Sequence, residues 1–118
     1  MPSQNPQQLT VIVVPNDGVG TAEPRLRHKL MQIYLQLLLE SNDPPGAICF
    51  YTEGVKLVIE GSPVLNLLQE LEKRGVHLIS CQTCLKYYGV TDKVRVGIVG
   101  GMHDILEAQK RAQKVITL

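Results

Sequence analysis

Five short apolar runs, separated by stretches of helical period, constrain the fold of this chain more than any other feature in it. Residues 9–14, 47–51, 76–80, 94–99 and 115–118 are rich in Val and Ile and read as strands. The first, Leu-Thr-Val-Ile-Val-Val, has no polar alternation, the pattern of a strand buried on both faces, and Pro15-Asn16-Asp17-Gly18 closes it with a turn. Next, Leu26, Leu30, Ile33, Leu37 and Leu38 recur at helical spacing, with Thr21 expected as N-cap and Pro24 in the first turn. Ser41-Asn-Asp-Pro-Pro-Gly46 stops that helix. The run 47–51 ends at Thr52-Glu53-Gly54, and residues 55–59 read as a short helix despite their β-branched content. Ser62 is expected to cap a second long helix with Pro63 at its first position, Val64, Leu67, Leu68 and Leu71 on its inner face and Gly75 as its stop. A short helix is expected over 84–88, ended by Gly89, and a last one carries Met102, Ile105, Leu106, Gln109 and Ala112 on its apolar face. Strands alternating with helices mean βαβ units. The expected fold is therefore α/β, a three-layer α/β/α sandwich with a mostly parallel five-stranded sheet, in one domain over residues 9–118. Residues 1–8 are polar and are expected to form a disordered tail.

Composition excludes several classes of function. Hydrophobic residues make up 44% and charged ones 19%, the balance of a folded chain, and with only 4% aromatics the core must be aliphatic. The net charge of +1 supplies no field to draw nucleic acid or an anionic membrane. No apolar run approaches the roughly 20 residues of a membrane span, and the polar N-terminus has no secretory-signal pattern. A cytoplasmic location follows as the expectation. There, three cysteines are no disulfide framework, and a close pair is more often catalytic or metal-binding.

In open parallel sheets, ligands bind beyond the carboxyl ends of the strands. That edge should gather Asn16, Asp17 and Gly18; Glu53 and Gly54; Cys81, Gln82, Thr83 and Cys84; and Gly101, Met102 and His103. Among these only the Cys81-Gln82-Thr83-Cys84 loop holds a nucleophile that needs no separate base. A cysteine between a strand end and a helix start meets unpaired N–H groups and the positive helix end, which favour thiolate. Cys81, nearer the strand, is the first choice for nucleophile, and Cys84 is a resolving thiol, a second carrier or a packed residue. Cys49, in mid-strand, reads as core. Zinc is not expected, since one C-x-x-C pair falls short of four ligands. No cofactor is expected either. Asn16-Asp-Gly-Val-Gly20 lacks the spacing of a phosphate loop and reads as a turn. His28 and His77 read as structural, whereas His103 shares the edge with Cys81 and could serve as acid or base.

The order Asn16-Asp-Gly-Val-Gly, Phe50-Tyr-Thr-Glu-Gly-Val-Lys-Leu57, Gly61-Ser-Pro-Val64, Leu68-Gln-Glu-Leu71, Gly75-Val76, Cys81-Gln-Thr-Cys-Leu85, with Tyr88 and Val96-Gly97 after it, resembles the DsrE-like proteins. Within them it is most similar to the C-terminal domain of YedF-type proteins of selenium metabolism. It departs at Gln82, where glycine is usual, and at Glu53, where Asn or Asp is common; the TusA-like domain of YedF proteins has no counterpart in these 118 residues. The resemblance implies a sulfurtransferase or sulfur-relay protein that carries persulfide on Cys81. It further implies exchange with a small TusA-like carrier or another persulfide donor, and a homo-oligomer, as dimer, trimer or hexamer. Two other readings stand beside it: a thiol-disulfide protein using Cys81 and Cys84, and a non-catalytic assembly subunit, which burial of Cys81 without a pocket at the strand ends would favour. Met31, Ile33, Leu35, Leu37, Leu38 and Leu39 exceed what one helix face needs, so either an oligomer interface or cover on two sides is expected.

Overall fold

The β-branched runs pair with one another into a single sheet. The computed structural model describes residues 10–118, and the tail expected over residues 1–8 lies outside them. Strands β1 (Thr10–Val14), β2 (Ala47–Phe50), β3 (His77–Cys81), β4 (Ile98–Gly100) and β5 (Lys114–Thr117) are all parallel, in the order β4-β3-β2-β1-β5. Helices α1 (Pro24–Glu40), α2 (Leu65–Lys73) and α3 (Gln82–Tyr88) link successive neighbours in one direction across the sheet, so right-handed crossovers lay them on one face. Helix α4 (Met102–Arg111) carries the chain back from β4 at one edge to β5 at the other, and the reversed travel lays it on the opposite face. In keeping with this, α1 packs on α2, and α4 packs on β3 and β4. Covered on both sides, the central strands hold the core: Ile12, Ile48 and Leu78 stand in register, as do Val13 and Cys49 one residue further on, and all five are buried. This is the three-layer α/β sandwich expected. Among the described residues no helix is long and apolar enough to cross a membrane.

Local contacts move several boundaries. Helix α1 starts at Pro24 with Glu23 rather than Thr21 at its N-cap and no side-chain cap at all. The reason is Arg27, whose Nη1 takes the Ala22 carbonyl at 2.9 Å while its Nε binds Asp17 Oδ1 at 2.6 Å, folding the preceding loop onto the helix. Helix α2 begins at Leu65, because Ser62 Oγ accepts the Val64 N–H at 3.2 Å in a turn ahead of it. The short helix expected over 55–59 is a 3₁₀ helix, Thr52–Leu57, and Ile59 instead makes an antiparallel bridge with Val94. That bridge consumes the start of the fourth strand. Gly97, with φ of 77° and close against Leu78, turns the chain, so β4 is only Ile98–Gly100. On α4, Ile105 is buried and Ala108 packs against the core, as does Ala112 just beyond the helix, whereas Met102 and Leu106 face outward. Helix α1 divides its apolar residues in two: Met31, Leu35 and Leu39 are buried, and Leu26, Leu30, Ile33 and Leu37 form an exposed stripe.

Candidate functional site

The parallel sheet brings the carboxyl ends of β1, β2 and β3 side by side, and the loops leaving them meet at α3. Cys81 closes β3 and is the N-cap of α3; Cys84 lies in the first turn of that helix, and Gly89, at φ 69°, ends it. The two cysteines differ in access. Cys81 is 1% exposed, while Cys84 is half-buried, and both are free thiols. Burial of Cys81, together with clefts that lie at the opposite edge of the sheet, weighs toward a non-catalytic subunit, whereas the partly open Cys84 thiol beside it weighs toward chemistry. Cys49 is fully buried, and burial pushes its thiol up to about 11, which makes it inert.

The sulfur of Cys84 has a built environment. The Thr52 backbone N–H donates to Cys84 Sγ at 3.1 Å. Burial pushes the Cys84 thiol up, the Thr52 N–H pulls it down, and the adjoining Cys81 thiol raises it again, for a net shift upward. Thr52 is held with φ of 47°, a region a β-branched residue rarely enters. Its hydroxyl secures that conformation by donating between the carbonyls of Pro15, after β1, and Tyr51, after β2. One turn further along α3, Tyr88 donates its hydroxyl to Glu53 Oε2 at 2.7 Å. Lys56 pairs with Glu53 Oε1 at 2.6 Å and lies 4.7 Å over the Tyr88 ring. The hydrogen bonds from Lys56 and Tyr88 lower the Glu53 carboxyl, and the Glu53 contact pushes the Tyr88 hydroxyl up to about 12. This cluster clamps the 3₁₀ helix onto α3, and so keeps the Thr52 amide on the sulfur.

The other edge residues divide between this cluster and separate structural tasks. Asn16 Nδ2 donates to the Gly20 carbonyl at 2.8 Å, and Asp17 binds Arg27 and, at 3.3 Å, His28. Gly18 lies so close to Arg27 that a Cβ would stand 2.6 Å from its backbone, and a Cβ on Gly54 would fall onto the Val14 carbonyl. Gln82 and Thr83 are exposed on the first turn of α3. Gly100 pairs with Cys81 across the sheet, which brings Gly101 and Met102 to the same edge, but the His103 side chain is 86% exposed and its partner is Asp104, 3.5 Å away, not a thiol. Among the described residues no three metal-ligating side chains come together. Two open clefts, about 420 and 640 Å³, lie at the amino-terminal edge instead, around Thr10, Tyr34 and Lys114 and around Arg74, His77 and Arg111. Sequence reasoning did not single out Thr52 or Lys56 for the site. Tyr88 could have been found from its i+4 spacing to Cys84, but Thr52 depends on which strands are neighbours.

An all-parallel α/β sandwich with paired thiols where β3 meets α3 defines a thiol-bearing member of the open-sheet α/β class. The chain belongs to the DsrE/DsrF-like family, whose model matches residues 10–118. Its fold is similar to that of the ychN protein from E. coli, with a TM-score of 0.67 and 18% identity over 92% of this chain and 97% of that one. It is also similar to MTH1491 from Methanobacterium thermoautotrophicum, with a TM-score of 0.66 and 19% identity over 92% and 97%. BT1422 from Bacteroides thetaiotaomicron matches with a TM-score of 0.62 and 17% identity over 92% and 94%. No curated protein sequence matches the chain.

Proposed function

We propose that this protein is a sulfur-relay protein that carries persulfide on the Cys81–Cys84 pair. The observation that carries the proposal is the partly open Cys84 thiol beside buried Cys81, at the carboxyl edge of the sheet, with a backbone N–H directed onto its sulfur. Membership of the DsrE/DsrF-like family supports it. A donor persulfide reaches Cys84 first, because Cys81 is covered. The Cys84 thiolate attacks the terminal sulfur of the donor, the donor S–S bond breaks, and the donor leaves as a thiolate. Sulfur can then pass to Cys81 by the same exchange across the pair, which reconciles the carrier role that the family resemblance assigns to Cys81 with its burial. The partner is a small TusA-like carrier or another persulfide donor, and the exposed stripe on α1 supports a homo-oligomer.

Intact-mass spectrometry after incubation with a persulfide donor tests this reading. The wild-type chain should gain one sulfur, Cys84→Ser should gain none, and Cys81→Ser should still load. Equal loading of Cys84→Ser and wild type would overturn Cys84 as the entry point, and no loading of either would overturn the relay. The closeness of the thiols also favours a second reading, a reversible Cys81–Cys84 disulfide. Loss of two hydrogens on mild oxidation, abolished by either Ser variant, without any sulfur uptake, would select it.

A further inference from the structure

We infer that Thr52 is the positioning residue of the transfer step, holding its own backbone N–H on Cys84 Sγ so that this sulfur can leave as a thiolate when persulfide is handed on. The inference deepens the sulfur-relay reading and rests on it for the reaction, though not for the geometry. In the delivery step a partner thiolate attacks the terminal sulfur of the Cys84 persulfide. The bond between Sγ and that sulfur breaks, the terminal sulfur stays with the partner as a new persulfide, and the electron pair remains on Sγ. A donor already placed on Sγ stabilises the charge as it develops and needs no rearrangement to do so.

Three observations converge on Thr52. Its N–H lies 3.1 Å from the sulfur. Its φ of 47° is unfavourable for a β-branched side chain and persists only where the surroundings over-determine it. Here the residue's own hydroxyl does so, bonded to the Pro15 and Tyr51 carbonyls. A glycine would reach the same φ without strain but without that anchor. Threonine is therefore explained by the need to fix the amide, not merely to turn the chain. The Thr52–Leu57 helix and α3 pack together, and the Glu53, Lys56 and Tyr88 clamp holds them in place.

The charged and titratable groups around Cys84 come from every element packed there. Cys81 stands at the β3–α3 junction, and Tyr88 and its edge-on neighbour Tyr87 lie on α3. Glu53 and Lys56 belong to the 3₁₀ helix, Asp17 in the β1 loop acts on Glu53, and Asp92 and Lys93 sit on the turn beyond α3. None of these residues is itself substituted in the Thr52 variants, and Thr52→Ser retains the hydroxyl, so a difference confined to Thr52→Val follows the anchor that holds the amide.

The test is the pH profile of Cys84 alkylation by iodoacetamide, read by peptide mapping that separates Cys84 from Cys81 and Cys49. Thr52→Val keeps the shape but loses the anchor, and its midpoint should rise by about one pH unit as the hydrogen bond to the charged form is lost. Thr52→Ser should restore the wild-type profile. A folded Thr52→Val with the wild-type midpoint, or a shift that Ser does not reverse, would overturn the inference. Because Thr52→Val could also destabilise the fold, the wild-type protein supplies an independent measurement: the Thr52 amide proton resonance should titrate with the Cys84 midpoint and lose that titration in Cys84→Ser. An amide that does not follow Cys84 overturns the inference. Both readouts follow the thiol and not sulfur uptake, so a protein that takes up no sulfur refutes the relay and leaves this placement separately measurable.

Discussion

At the residue scale, burial sorts groups that sequence spacing treats alike. Cys81 and Cys84 share one short motif, yet the strand end carries Cys81 into the interior while the first turn of α3 leaves Cys84 partly open. Asp17 and Glu53, two acids on neighbouring loops, also divide: Glu53 belongs to the thiol cluster, and Asp17 fastens its loop to α1. Burial pushes the Asp17 carboxyl up, but the hydrogen bonds and charges of Arg27 and His28 outweigh it, and the net shift is down. A carboxyl lowered in the folded state contributes stability that is present above its unfolded value of 3.8 and is lost as pH falls through the folded value. Asp17→Asn should therefore cost about 1–2 kcal/mol at pH 7 and progressively less as the pH falls below 3.8. Urea unfolding of both proteins across that pH range checks it. A constant difference would assign the effect to packing instead of charge.

At the element scale, the site depends on how closely the ends of β1 and β2 approach. The start of the 3₁₀ helix runs directly over the last residue of β1, where Tyr51 donates its N–H to the Val14 carbonyl at 3.3 Å and Gly54 leaves no room for a Cβ. Gly54→Ala should destabilise the fold by about 1–3 kcal/mol through overpacking. It should also shift Cys84 reactivity, because the displaced element carries the Thr52 amide. Thermal unfolding and the alkylation rate at Cys84 measure the two effects on one sample. These contacts also decide the conformation of residues 55–59, whose β-branched composition alone suits a strand. Val55 and Leu57 are buried by neighbours distant in sequence, Ile59 pairs with Val94, and only the pairing decides that this β-branched segment is not a strand of the sheet. The same bridge, reinforced by Arg95 N–H to the Val58 carbonyl at 2.8 Å and an Arg95–Glu60 ion pair at 2.7 Å, shortened β4.

At the scale of the whole molecule, the one-sided crossover of α1, α2 and α3 leaves the outer surface of α1 without a third layer. Leu26, Leu30, Ile33 and Leu37 stand there at alternating spacings of four and three residues, 39–58% exposed. Such a stripe is the pattern of a helix seam. For the homo-oligomer proposed above, the double variant Leu30→Glu with Leu37→Glu should reduce the native mass in light scattering, with the melting temperature of the fold little changed. An unchanged mass would overturn a seam on α1. The parallel α/β sandwich, the burial of the central strands and the meeting of the Cys81–Cys84 segment with a strand end and a helix start are all legible in the linear chain. Those properties follow from local period, from turn chemistry and from the handedness of crossovers, which act within neighbouring segments. Three-dimensional packing alone settles which cysteine faces outward, that Thr52 of β2's loop supplies an N–H to a sulfur on α3, and that His103 turns to Asp104 instead. Each of these rests on strand order and on contacts between segments about 30 residues apart or more, or on a rotamer chosen by packing, and no periodicity in the chain encodes them.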